Sequence, residues 1–131
     1  MANVIRLNGV KRIEVNDEGE YILLPVGDDQ FLRNFYALVD EAQKKAAEIQ
    51  TDRNDILGSM DVIVAFDKYM MERVDGLFGA ETCRKVFGDI LPGVEMFLEF
   101  FTLLTPYLEE YKKDRAEAIS KYSAGRRGSS V

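Results

Sequence analysis

The chain has 131 residues, of which 47% are apolar and 31% charged, with a formal net charge of −6; that length suits one domain able to bury roughly two thirds of its unfolded surface. An acidic chain lacks the basic face that neutralises phosphates, which argues against a nucleic-acid-binding core. A single cysteine, Cys83, excludes an intramolecular disulfide and points to a reducing, cytoplasmic setting, while Glu95, Glu99 and Pro106 break the longest apolar windows and leave nothing that reads as a membrane span.

The N-terminus has no apolar signal-peptide core. Ile5, Leu7, Ile13 and Val15 alternate in phase, and Glu20 to Val26 is rich in strand formers. With Asn16-Asp17-Glu18-Gly19 between them, the two runs read as a β-hairpin over residues 1–26. Pro25 lacks a backbone donor and limits the second strand. A lone hairpin is marginal in water, so it must lie on a helical body or pair with a strand from another copy.

The helical body is expected over 28–122. Gly27-Asp28-Asp29 supplies start chemistry, and Phe31, Phe35, Leu38, Val39, Ala42, Ala46 and Ile49 recur at helical spacing up to about Gln50. Residues 51–55 form a polar joint in which Thr51 or Asp52 could cap the next helix. A calcium loop beginning at Asp52 fails, because Ile56, Leu57 and Ile63 stand where a ligand, the turn glycine and the bidentate glutamate belong. The second helix spans about Asp55 to Leu77, with Ile56, Met60, Ile63, Phe66, Met70, Val74 and Leu77 on one stripe. Phe78-Gly79 stops it, Glu81 to Phe87 forms a short helix closed by Gly88, and Pro92-Gly93 precedes a long aromatic helix that Pro106 should kink or divide. Composition turns charged from Glu109, and 123–131 reads as a flexible polar tail. The expected fold is therefore mainly α with an N-terminal β-hairpin, three main helices and a short one packed as a small bundle.

Chemistry is sparse. With no histidine there is no ordinary Ser-His-Asp or Cys-His unit, and one cysteine cannot build a structural zinc site. Phosphate-loop and dinucleotide glycine motifs are absent from the sequence. Glu95 and Glu99 share a helical face, an arrangement that more often marks the wet side of a helix than a catalytic pair. These features point away from an enzyme, a metal and a cofactor. The candidate contact residues are apolar: Phe97, Phe100, Phe101 and Leu104 on the aromatic helix, with Met70 and Met71 as adaptable neighbours. Packing into the domain core is the competing reading for each of them.

The string VDGLFGAETCRKVFG, the proline break and the helix FLEFFTLLTPYLEEYKK resemble the tail assembly chaperones of long-tailed bacteriophages and prophages of Gram-positive hosts. The opening IRLNGVKRIEVNDEGEYILLPV, followed by DDQFLRNFYALVDEAQKK, is similar to theirs as well. The resemblance reaches to about Tyr122. It implies a small, mostly helical protein of the bacterial host cytoplasm, absent from the mature virion. Such a protein binds the tape measure protein, keeps it soluble and recruits the major tail protein; many members also exist in a frameshifted longer form. It transfers no catalytic or contact residue. Self-association, with many copies coating one long partner, is compatible with the hairpin edge. The alternative is a small prophage adaptor or regulatory protein that binds a host protein, or nucleic acid through Arg126-Arg127.

Overall fold

The computed structural model describes the backbone of residues 9–51 and 56–129, and side chains over 9–49 and 58–123. The expected strand start at Ile5 and Leu7, the joint at 52–55 and the side chains of Arg126-Arg127 lie outside those residues. Two strands, β1 (Lys11–Glu14) and β2 (Tyr21–Leu24), are followed by α1 (Asp29–Thr51), α2 (Ile56–Phe78), α3 (Thr82–Phe87) and α4 (Val94–Ser129). Over the described residues the architecture is thus a small α+β bundle: four helices and an antiparallel hairpin.

The hairpin register pairs Lys11 with Leu24 and Glu14 with Tyr21. Asn16 organises its turn, since its Oδ1 accepts from the amides of Glu18 at 2.9 Å and Glu20 at 3.2 Å. Gly19 closes the turn in the left-handed region at φ 79°, where a side chain would be strained. Ile22 and Leu24 point inward and are buried, whereas Tyr21 and Leu23 point to solvent. The turn is also fastened to α3. Asn16 Nδ2 donates to the Lys85 carbonyl at 3.1 Å, and Arg84 pairs with Glu20 at 2.9 Å. That guanidinium first, and Asn16 second, hold the Glu20 carboxyl below its ordinary range.

Asp28 caps α1, its carboxylate accepting from the amides of Gln30 and Phe31 at 2.9 and 3.3 Å. At the other end of the bundle, Gly79 (φ 124°) ends α2, and Asp75 Oδ1 accepts from the Cys83 amide at 2.9 Å to begin α3. Glu81 stands before α3 at φ 72°, an uncommon conformation for a residue with a Cβ. Gly88 stops α3 as the sequence suggests, its amide returning to the Arg84 carbonyl.

α4 departs from expectation at its end, where helical backbone continues through Ser129 in place of the expected tail. Pro106, expected to kink or divide the helix, sits inside it without dividing it. Removing one amide costs one backbone bond, and the remaining ladder carries on at either side. Gly125 and Gly128 each cost only about 1 kcal/mol against alanine, too little to break an established helix.

The core lies where α1, α2 and α4 meet beneath the hairpin. Phe35, Leu38, Met70, Val74, Phe97, Phe101 and Leu104 fill it with Ile22, Leu24 and Val26 from the hairpin. Its rings meet mostly edge to face: Phe35–Phe101 at 5.6 Å, Phe78–Phe100 at 5.4 Å, Phe87–Phe97 at 5.3 Å. That geometry adds roughly 0.5–1.5 kcal/mol per pair beyond area burial.

Candidate partner-binding surface

The core occupies only one end of the α1–α2 pair. On α1 the last buried side chain is Ala42, and nothing described from 43 to 49 is buried. On α2 burial begins at Asp67, and nothing from Gly58 to Phe66 is buried. From Ala42 to Thr51 is nine residues, so the paired helix ends reach about 14 Å beyond the core at 1.5 Å per residue. We call this projection the arm.

Its composition is unusual for a solvated helix end. Residues 58–66 read GSMDVIVAF, with Asp61 as the one charge. Met60 and Val62 are 45% and 55% exposed, while Ile63, Val64 and Phe66 are half-buried. From α1, Ala46 and Ile49 are half-buried, and Lys45 lays its ammonium 5.5 Å from the Phe66 ring centre. A cleft of about 340 Å³ opens between the helices, lined by Lys45, Ile49, Ser59, Val62 and Ile63 among others. Exposed apolar side chains set among polar ones, here Ile49, Val62 and Ile63 beside Lys45, Glu48 and Ser59, mark contact sites on soluble proteins.

The residues singled out in the sequence lie elsewhere. Met70, Phe97, Phe100, Phe101 and Leu104 are brought together, but inside the core, each at most 5% exposed. They present no surface to a partner in this arrangement; α4 spends its aromatic face on α1, α2 and the Phe78–Phe87 turn. Met71 is half-buried at the core's edge, beside a surface hollow that it lines with Asp75, Arg84 and Leu91. The α2 stripe is likewise fully buried only from Met70 onward: Phe66 packs half-buried against the core, Ile63 is half-covered and Met60 is exposed.

The titratable groups divide clearly. Glu95 and Glu99 are exposed. Among the described residues the buried acid is Asp67, 5% exposed, on the inner face of α2 with Met70 and Val74. Its Oδ1 has no hydrogen-bond partner. Burial, and secondly the charge of Glu95, raise its carboxyl from 3.8 to about 6. Cys83 is buried, and desolvation followed by the Asp75 carboxylate pushes its thiol up to about 12, so it is protonated at neutral pH. Among the described residues no group of three or more acidic or cysteine side chains is placed to hold a metal ion. No helix among them is long and apolar enough to cross a membrane.

Residues 18–130, from the hairpin turn through the arm and all of α4, match the model of a family of unknown function, DUF6673. The chain belongs to that family. No curated protein and no solved structure matches it.

Proposed function

We propose that this chain is a non-enzymatic assembly chaperone that masks apolar helical segments of a long partner. In the setting its sequence resembles, the host cytoplasm during phage tail assembly, that partner is the tape measure protein. The major tail protein would be recruited to the same complex. The observation that carries the reading is the arm: a nearly uncharged apolar run, Met60 to Val64, with no buried side chain, on an otherwise acidic and well-packed chain. An amphipathic helix laid along such a cleft would bury its own apolar stripe and that of the arm together. Lys45, whose flexible side chain lines the cleft, and Met60, exposed on the same stretch of α2, suit a surface that must accept many client sequences.

The test is co-elution of the full chain with an apolar helical fragment of a tape measure protein. Val62→Asp places a charge in the contact and should weaken binding by roughly tenfold or more, as loss of one interface anchor does. Leu103→Asp, at a position 66% exposed on α4, should leave binding unchanged. A wild-type chain that fails to bind the fragment, or a Val62→Asp chain that binds it equally well, refutes the reading.

A further inference from the structure

Each strand of the two-stranded sheet has an outer edge; that of β2 is engaged, its outward Tyr21 carbonyl accepting from Lys85 Nζ at 3.4 Å, and the other rim is that of β1. The hairpin's hydrogen-bond phase fixes what that rim offers. Val15 donates to Glu20 at 3.0 Å, so residues 15 and 20 form a bonded pair, as do 13 with 22 and 11 with 24 along the same ladder. The amides and carbonyls of Arg12 and Glu14 therefore point away from β2. Among the described residues they take no partner. An uncovered edge of this sort is a template for another strand.

The side chains on that edge are self-complementary. Arg12 and Glu14 lie two residues apart on the solvent face of β1, with opposite charge. Neither has an ionic partner among the described residues; the Arg12 guanidinium instead lies 4.0 Å from the Tyr21 ring centre. A twofold axis through Ile13 that sets a second β1 antiparallel to the first brings Arg12 of each copy opposite Glu14 of the other, twice by symmetry. In the same register the outward backbone groups of Arg12 and Glu14 meet as bonded pairs, so ladder and charges agree. Ile13, half-buried in one copy, faces its own equivalent at the centre. Sliding the register by two residues sets Arg12 against Arg12 or Glu14 against Glu14.

We propose that the β1 edge is a self-association edge. Two copies join β1 to β1 into a continuous four-stranded antiparallel sheet, with the Arg12–Glu14 pairs setting the register. This is independent of what the arm binds. Sedimentation equilibrium of the full chain over a concentration series tests it. The wild type should show a monomer–dimer equilibrium that weakens with added salt. Arg12→Glu places two carboxylates opposite each other, and Glu14→Arg two guanidinium groups; each should weaken the dimer about tenfold or more, since two cross-strand pairs turn from attractive to repulsive. The Arg12→Glu, Glu14→Arg double variant restores both pairs within one chain and should dimerise like the wild type. Mixing the two single variants should restore dimers as well, while circular dichroism confirms that each single variant is folded. A wild type that stays monomeric at every concentration hands the edge to a strand from a different protein and overturns the proposal. So do single variants that dimerise undiminished, or a double variant that stays monomeric although the mixture recovers.

Discussion

Replacing Asp67 with asparagine should stabilise the protein at neutral pH and do nothing of the kind in acid. The folded chain holds the Asp67 proton to about pH 6, whereas the ordinary value is 3.8. A raised value means that the folded state binds the proton more tightly than the unfolded one. Stability from this group is therefore complete below about pH 4, declines as pH rises through the interval, and is lost above about pH 6. The interval is about two units, and at about 1.4 kcal/mol each the anion costs the fold up to about 3 kcal/mol at pH 7. An asparagine side chain would keep the shape and shed the charge, though a buried unpaired amide gives back on the order of 1 kcal/mol. The net expectation for Asp67→Asn is a gain of about 1–2 kcal/mol at pH 7, several degrees in Tm for a chain of this size. Thermal unfolding of both proteins at pH 4, 5, 6 and 7 gives the difference directly. Taking that difference matters, because carboxyls held low, such as Asp29 beside Arg115, tilt the wild-type curve the other way. Asp67→Asn and wild type differing by the same amount at every pH would refute the reasoning. Glu95→Gln, which removes the smaller cause, should give a smaller gain with the same pH dependence.

Phe101→Ala empties a site 2% exposed between Phe35 and Phe100 and should cost about 3–5 kcal/mol in chemical denaturation. Asp28→Ala removes the cap of α1 and should cost about 1 kcal/mol in the same assay, with little change in the core's near-ultraviolet signal. Cys83 should resist a thiol reagent at pH 8 in the folded chain and react fully in denaturant, since its thiol is both covered and held protonated. Rapid native labelling would mean that the α2–α3 turn opens far more often than its packing suggests.

Local chemistry carried most of the architecture. The hairpin turn, the Asp28 cap and the stops at Gly79 and Gly88 rest on conformations that only a few residue types adopt, so they are visible one residue at a time. What periodicity cannot say is how far along a helix the core extends. Met60, Ile63, Phe66, Met70 and Val74 form one uninterrupted stripe in the sequence, yet α4 reaches only the second half of it. For the same reason the aromatic residues of α4 read as contact candidates: their spacing is identical whether the face meets a client or α1. Asp67 had a readable signal, because it lies in phase with Met70 and Val74 at i+3 and i+7, a charge on the apolar face. The helical course of α4 past Tyr122 was hidden by a Gly- and Ser-containing composition that is equally at home in a tail.

A core confined to one end of α1 and α2 also sets a gradient of local stability along them. Amides beside Phe35, Leu38, Met70 and Val74 can exchange with solvent only when the whole chain opens, whereas those beyond Ala42 and before Asp67 are held by two helix ends leaning on each other. Deuterium should therefore enter the arm through partial openings, orders of magnitude sooner than it enters the hub. Any molecule that settles on the arm would slow that entry there first. Binding would then be written in the exchange map as the disappearance of a boundary inside two helices, with the folded hub itself unchanged.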